Sequence, residues 1–478
     1  MSRDPQSALV ALNRFGFGAR GGASGDFLDA ASDPRGFVKA ELARPGGGAL
    51  LEAPELLSTA KLAQEAFAYQ REVKQARKAA ASVAKIAAAQ GADGMQMEAA
   101  KPPAPKPLNV IRKTYRTEAL ARLQRAVLAD CGFSERLVVF WSNHFCISAT
   151  KGPLARIWAG AFEREAIRPH VLGRFVDMLM AVGQHPAMLF FLDNQRSVGP
   201  DSRVGRRRKR GLNENLARET MELHTIGVDG GYTQADVTSL SRILTGWTFA
   251  GRKGFLGEPG SFVFNANAHE PGPQRLLGKI YPADGLAQGE AALADLARHP
   301  ATATFIATKF ASHFVADDPP PALVARLADV FTRTDGDLKA LTLALVDSDE
   351  AWHAPLTKIR SPYEYLVATG RLLDRVPENP GPYLGGLRLL GEPLWSPPGP
   401  NGFPDTNAAW AAPEGMKLRL DIATRIGSHI GAMIDPRDLA EFAFGDAASR
   451  DTRLAVARAA TRQQAVALLL MSPEFQRR

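Results

Sequence analysis

The sequence predicts a mainly α protein, a large multihelical single-domain assembly with long irregular loops rich in proline and glycine and room for one short hairpin. Three observations support this fold class. Most windows place apolar residues at helical spacing, as Leu137, Val138 and Trp141 do. Signals that start and end helices accompany these windows. The chain has no internal repeat, which disfavours a solenoid.

Composition divides the chain into three parts. Residues 1–59 are predicted to be an N-terminal helical part of the core, and residues 108–478 the main helical core. Between them, residues 60–107 read as an inserted arm and linker. Residues 60–90 are rich in Ala, Lys, Gln and Arg, which favours an exposed helix, and the glycines and prolines of residues 91–107 then break it.

Local signals predict where several helices begin or end. Ser134 is a suitable N-cap for the helix that contains Trp141. Gly227 predicts the end of one helix, and Thr233 with Asp236 resembles a capping box that begins the next. Together the last two signals predict a helical hairpin.

Two segments are predicted to be irregular. Residues 250–285 are rich in Gly, Pro and Asn, and are compatible with a short hairpin or a long ordered loop. Residues 391–405 contain too many prolines and glycines to be helical. Irregular loops on a rigid helical frame often supply binding surface.

The bulk composition excludes several classes of protein. The chain has 478 residues, of which 45% are hydrophobic and 23% charged, as in ordinary globular proteins. No apolar run approaches the roughly 20 residues that span a bilayer. The net charge is +8, but the run at residues 206–210 supplies five of these charges, and no interleaved aromatics accompany it. We therefore expect no specific nucleic-acid binding.

The amino terminus and the cysteine content give information on the cellular compartment of the protein. Residues 1–14 lack the hydrophobic region and cleavage site of a secretory signal, which predicts a cytoplasmic protein. Cys131 and Cys146 are too few for a disulfide framework and form neither a CxxC pair nor a zinc-knuckle spacing. Both are expected to be buried thiols.

The segment with the highest density of reactive side chains is GLNENLARETMELH, residues 211–224. On an ideal helix Glu219 and Glu222 share one arc, where two close carboxylates have their pKa values pushed apart. One can then donate a proton while the other accepts one or attacks. We predict this pair as the catalytic residues.

The neighbours of this pair support two interpretations. Asn215, Arg218 and Glu214 lie in or beside the same arc and are predicted to bind substrate. The alternative is a static ladder from Glu214 to Arg218 to Glu222 at i, i+4 spacing, without catalysis.

Distant residues complete the candidate site. His144 lies on an apolar stripe, as either a satisfied core histidine or a general acid or base, and we include it among the catalytic candidates. Asp193, Asn194, His269 and Trp395 belong to irregular stretches and are predicted to line the cleft and bind substrate.

We predict no metal and no cofactor. A di-metal bundle site requires Glu-x-x-His, whereas Glu219 and Glu222 precede His224 by five and two positions. A metal site would need a distorted helix end at His224, or His144 and His269 arriving from elsewhere. The GxGxxG motif at residues 16–21 follows a helical segment instead of a strand, so it predicts no dinucleotide site.

Several of these segments resemble the bacterial "domain of unknown function 1800" family, over nearly the whole chain. They are residues 13–18 (NRFGFG), 140–145 (FWSNHF), 191–194 (FLDN), 213–228, 232–237 (YTQADV), 244–247 (LTGW) and 400–404 (PNGFP). The resemblance implies a mainly helical protein and transfers no catalytic residue. It also implies a partner, because members are often encoded beside an exported protein that resembles sulfatases and alkaline phosphatases. Export with such a partner is the alternative to a cytoplasmic location.

These observations lead to one functional hypothesis and two alternatives. The hypothesis is a hydrolase that acts on a polar, carbohydrate-like substrate through paired Glu carboxylates in a helix-lined cleft. The first alternative is a non-catalytic binding or assembly protein that works with an envelope-associated partner. The second is a metal-dependent oxidoreductase.

Overall fold

Buried apolar side chains from Ala8 to Phe475 form one connected core in the computed structural model of the protein. The structure describes residues 3–22, 24–90, 109–209, 211–431 and 433–478. Helices dominate these residues, which confirms the mainly α fold class.

The first half of the chain contains twelve α-helices among the described residues. They are α1 (Pro5–Val10), α2 (Asp26–Ser32), α3 (Pro34–Leu42), α4 (Thr59–Gln90), α5 (Val110–Leu128), α6 (Phe133–His144), α7 (Pro153–Phe162), α8 (Phe175–Gln184), α9 (Pro186–Phe191), α10 (Arg203–Arg208), α11 (Asn215–Glu219) and α12 (Gln234–Ile243).

In the part of the chain that the structure describes, two small sheets separate these helices from the second half. Strand β1 (Trp247–Phe249) pairs with β2 (Phe262–Phe264), and β3 (Gln274–Leu276) pairs with β4 (Lys279–Tyr281), both antiparallel. The sequence left a short hairpin and an ordered loop open for this region. The described residues contain two hairpins: residues 250–261 join β1 to β2, and Leu277 and Gly278, both at positive φ, join β3 to β4.

The second half continues with thirteen α-helices in the described residues. They are α13 (Leu286–Arg298), α14 (Pro300–Phe314), α15 (Pro321–Arg333), α16 (Leu338–Asp347), α17 (Asp349–His353), α18 (Pro362–Leu372), α19 (Gly381–Leu389), α20 (Asn407–Trp410), α21 (Pro413–Ile430), α22 (Pro436–Phe444), α23 (Arg450–Ala457), α24 (Arg462–Met471) and α25 (Pro473–Gln476).

Helix α4 corresponds to the predicted arm. Leu62, Ala63 and Ala66 are buried near its start, whereas nearly every residue of 71–85 is exposed. The predicted linker, residues 91–107, lies outside the described residues. Within the described part of the chain, every helix is too short or too polar to cross a membrane.

The predicted caps have mixed outcomes. Thr233 and Asp236 form the expected capping box at the start of α12. The preceding helical turn ends at His224, and Gly227, with a φ of +80°, lies in the connection that follows, where its N–H donates to the carbonyl of Met221. The predicted N-cap Ser134 is wrong, because α6 begins after Gly132. The carboxylate of Glu41 accepts hydrogen bonds from the backbone N–H groups of Gly132 and Ser134, and so replaces a local cap.

Among the described residues, three π-helical turns continue α1, α7 and α11, at Ala11–Phe15, Glu163–Ile167 and Thr220–His224. Such turns occur often at functional sites, because the wider turn redirects a side chain. Glu163, the first residue of the second turn, lines the cavity described below. His224, in the third turn, contacts His144, which also lines this cavity.

Candidate functional site

A cavity of about 370 Å³ lies between α6, α14, the start of α18 and the irregular residues 390–406, here called the cavity loop. Its volume falls in the range of small-molecule sites. The lining includes aromatic, acidic and basic side chains: Arg122, Asn143, His144, Cys146, Glu163, Lys309, His313, Tyr363, Glu364, Glu392, Trp395, Asp405, Trp410 and Arg478.

The end of α6 and the segment after it hold the cavity loop in place. The side-chain amide of Asn143 donates to the carbonyl of Phe403 over 2.9 Å and accepts from its N–H over 2.8 Å. Ser148 donates to the carbonyl of Pro397 over 3.0 Å. Hydrogen bonds therefore order the loop although it contains no regular structure.

Trp395 enters the cavity from a strained position in this loop. Its φ is +47°, a region that non-glycine residues rarely adopt. The indole Nε1 donates to Oε2 of Glu163 over 3.0 Å, and the guanidinium of Arg122 lies 5.6 Å from the ring centre. The half-buried indole presents an aromatic face to the cavity.

Two carboxylates in the wall are fully engaged in ion pairs. Glu364 pairs with Arg136 and Arg478, each over 2.8 Å. Burial would raise its pKa, but these two positive charges outweigh burial and lower the pKa to about 2. Glu163 accepts from Arg168 and Trp395, so it is an anchor within the wall.

Asp405 is also ionised but is more accessible. His313 donates to one of its oxygens over 2.5 Å, and Arg478 and Lys358 lie 3.1 and 3.3 Å from the other. Against the effect of burial, these partners hold the pKa of Asp405 well below its ordinary value. Its side chain is 31% exposed, compared with 1% for Glu364.

Glu392 has the opposite electrostatic environment. It accepts a hydrogen bond from the backbone N–H of Tyr363 over 2.7 Å, and among the described residues it forms no ion pair. Burial raises its pKa to about 7, and the negative charge of Glu364 acts in the same direction. The cavity therefore contains a carboxyl that is largely protonated below neutral pH.

Lys309 and His144 form another part of the cavity wall. The Nζ of Lys309 lies 3.1 Å from Nδ1 of His144, whose Nε2 lies 3.1 Å from the carbonyl oxygen of His224. His144 thus donates from Nε2 and accepts at Nδ1 as a neutral ring. Burial lowers the pKa of Lys309 to about 8 and that of His144 well below its ordinary value.

Cys146 lines the cavity as a protonated thiol. Its Sγ lies 3.2 Å from the carbonyl oxygen of Pro400, and burial raises its pKa to about 12. The negative charge of Glu219 acts on this pKa in the same direction. A thiol with this pKa is a poor nucleophile at neutral pH.

The structure places the predicted carboxylate pair beside the cavity wall and outside its described lining. Glu219 ends α11 and Glu222 lies in the π-helical turn that follows, and both are half-buried. Burial and then the charge of Glu222 raise the pKa of Glu219. The turn packs against the cavity wall through the contact of His224 with His144.

The ladder considered from the sequence is present next to this pair. Arg218 lies 3.0 Å from Glu214 and 3.5 Å from Glu222, at the surface. Glu214 also accepts from Gln234 and Thr238 of α12. Asn215, the first residue of α11, is exposed.

The other predicted residues separate into two groups. His144 and Trp395 line the cavity. Asp193, which pairs with Lys151, lies outside the described lining, as do Asn194 and His269. Two further contacts fix these residues to the frame: Asn194 donates to the carbonyl of Trp247 over 2.9 Å, and Nδ1 of His269 donates to the carbonyl of Thr245 over 2.9 Å.

Glu392, Lys309 and Asp405 are not among the site residues predicted from the sequence. Glu392 and Asp405 belong to the irregular segment 391–405, so carboxylates within a proline-rich loop were the available signal. Lys309 stands next to Phe310 on a predominantly apolar helix, which is an uncommon setting for an unpaired lysine.

Within the described residues, no three His, Cys, Asp or Glu side chains form a group that could hold a metal ion. The model of a family described as "Protein of unknown function (DUF1800)" matches residues 10–477 of the chain. No curated protein and no solved structure matches it.

Proposed function

The chain belongs to the DUF1800 family of proteins of unknown function, and from the chemistry of its cavity we propose that it is a hydrolase of a polar, saccharide-like substrate. The proposal places the reaction in the cavity between α6, α14 and the cavity loop. The carboxylates assigned to it are Glu392 and Asp405, instead of the pair Glu219 and Glu222 predicted from the sequence.

The observation that carries the proposal is the contrast between two carboxyl groups that line one cavity. Burial raises the pKa of Glu392 to about 7, whereas His313, Arg478 and Lys358 keep Asp405 ionised against the effect of burial. Environments that push two pKa values apart identify an acid and an anion for catalysis.

The reaction follows from these protonation states. The protonated carboxyl of Glu392 would deliver its proton to the leaving oxygen as the glycosidic bond breaks. The carboxylate of Asp405 would stabilise the positive charge that develops on the sugar ring, or orient the attacking water. The half-buried indole of Trp395 supports a saccharide-like substrate, because it offers a flat aromatic face that a sugar ring can pack against.

The experiment compares Glu392→Gln with wild type on a panel of 4-nitrophenyl glycosides and on polysaccharides, with release of nitrophenol or reducing ends as the measurement. We expect kcat to fall at least about 100-fold, the usual minimum for loss of a general acid. Glu219→Gln and Glu222→Gln are the matched controls and should retain activity. Loss of activity in these controls with full activity in Glu392→Gln would favour the pair predicted from the sequence.

Binding without turnover is the second candidate function. It is favoured by the ion pairs of Glu364 and Glu163 with arginines. Because of these pairs, not every carboxylate that lines the cavity is free to take part in a reaction. Saccharide binding by wild type with no product from any substrate of the panel would support it. In that case the envelope-associated, sulfatase-like partner and export with that partner remain the accompanying proposals.

Elemental analysis of the purified protein distinguishes the third candidate, a metal-dependent oxidoreductase, from the hydrolase and the binding protein. A stoichiometric transition metal would favour it over both other candidates.

A further inference from the structure

Lys309 is a cation in the cavity wall with an unusual set of partners. Its Nζ lies 3.1 Å from Nδ1 of His144. Because Nε2 of His144 donates to the carbonyl of His224, Nδ1 is the accepting nitrogen, and Lys309 donates one of its three hydrogens there. The imidazole is neutral, and the ring of Phe305, whose centre lies 5.4 Å from Nζ, attracts the ammonium without supplying a counter-ion.

Other cations of the cavity wall have anionic partners. Arg122 lies 3.0 Å from Glu163, and Arg478 lies 2.8 Å from Glu364 and 3.1 Å from Asp405. Within the described part of the chain, Lys309 forms no ion pair at 4.0 Å or less. The charge of Asp405 acts on it from farther away, and that carboxylate is already held by three other residues.

Lys309 is half-buried. Even partial burial of a charge without a counter-ion is unfavourable, and proteins normally pair such charges or use them to bind a ligand. Consistent with this, burial lowers the pKa of Lys309 to about 8. The side chain still carries its charge at pH 7. Two of its hydrogens are left for an acceptor in the cavity.

We infer that the cavity binds an oxyanion of its ligand at Lys309, so that the substrate is an acidic saccharide carrying a carboxylate, a sulfate ester or a phosphate ester. This inference rests on the proposed function for the saccharide and on the position of Lys309 for the acidic group. The ammonium of Lys309 and the indole of Trp395 both line the cavity and would contact different parts of one ligand.

The test is calorimetric titration of the full chain with glucose, glucuronate, glucose 6-sulfate and glucose 6-phosphate at constant ionic strength, and with inorganic sulfate and phosphate. We expect at least one acidic sugar to bind about tenfold or more tightly than glucose, since a buried charge pair contributes at least this much. The preferred probe identifies the oxyanion. Lys309→Gln and Lys309→Met should remove the preference, whereas Lys151→Gln, a change in a surface lysine, should keep it.

Four outcomes separate this inference from the proposed function. Equal affinity for glucose and the acidic sugars would overturn the inference and leave the hydrolase proposal standing. An acidic preference that survives both Lys309 variants, with folding confirmed by circular dichroism, would also overturn it. Binding of sulfate or phosphate that depends on Lys309, without binding of any sugar, would retain the anion site and remove the saccharide. Absence of binding by every probe would overturn the inference.

Discussion

The indole of Trp395 donates a hydrogen bond over 3.0 Å to the carboxylate of Glu163, and this bond joins the cavity loop to the π-helical turn of residues 163–167. Glu163 is itself fixed by Arg168 and Arg122. An aromatic face is therefore held at the cavity by a buried ionic cluster, although the backbone of Trp395 is strained.

Removal of this indole should affect both stability and ligand binding. We expect Trp395→Phe to lower the free energy of unfolding by about 1.5–3 kcal/mol, the usual contribution of a hydrogen bond to a charged group. Trp395→Ala should in addition abolish saccharide binding measured by calorimetry. Trp352→Phe is the control, because Trp352 donates to the carbonyl of Val346 and lies outside the described cavity lining. Loss of binding in this control as well would contradict a specific role for Trp395.

The pH dependence of catalysis should report on Glu392. With a pKa of about 7 in the free protein, its acidic form is lost as the pH rises, so kcat/KM should fall about tenfold per pH unit above pH 7. Glu392→Gln should lack this decline as well as most of the activity. A wild-type profile that stays flat between pH 6 and pH 9 would exclude Glu392 as the general acid.

The stability of the fold should fall in mild acid because of three buried histidines. Burial lowers the pKa of His313 to about 4, that of His224 to about 3 and that of His144 well below its ordinary value. Each histidine binds a proton more readily in the unfolded chain, so its contribution is complete above about pH 6.5 and is lost as the pH falls. The raised pKa values of Glu392, Glu219 and Glu118 have the opposite sign above about pH 4.5, whereas the lowered pKa of His170 adds to the effect of the three histidines.

Urea unfolding at pH 7, 6 and 5 measures this effect. Each histidine adds up to about 1.4 kcal/mol per pH unit to the slope, so we expect the free energy of unfolding to decrease steadily. His224→Phe should flatten the slope by about one such contribution. His429→Gln, a change at an exposed position, should leave it unchanged. Stability that is constant or rises from pH 7 to pH 5 would contradict the neutral state of these rings.

The elements that the sequence predicted correctly depend on local chemistry. The capping box of Thr233 and Asp236 involves residues three positions apart, so the sequence pattern contains all of it. The cap of α6 could not be predicted in the same way. Its acceptor, Glu41, is more than ninety residues away in the chain, and only tertiary packing brings it to Gly132 and Ser134.

The candidate site was predictable only in part for the same reason. The sequence indicated the proline-rich segment 391–405 because its composition excludes a helix. The protonation of Glu392 depends on burial by α18 and the rest of the wall, which no pattern encodes. The positions expected after Glu219 assumed an ideal α-helix. The chain there forms a wider π-helical turn, which brings His224 into contact with His144.

The position of the cavity loop should depend on Gly402, because the surrounding atoms leave no room there for a side chain. Gly402 has a φ of +79°, and a Cβ there would lie 2.6 Å from both the carbonyl oxygen and Oδ1 of Asn143. Gly402→Ala should therefore break the hydrogen bonds of Asn143 to Phe403 and lower the free energy of unfolding by about 2–4 kcal/mol.

The control variant Gly278→Ala isolates the backbone contribution, because Gly278 has a φ of +80° and no heavy atom lies within 4 Å of a Cβ placed there. It should cost only about 1–2 kcal/mol in urea unfolding. Equal losses in the two variants would mean that the cavity loop adapts to the added methyl group, and that Asn143 does not determine its position.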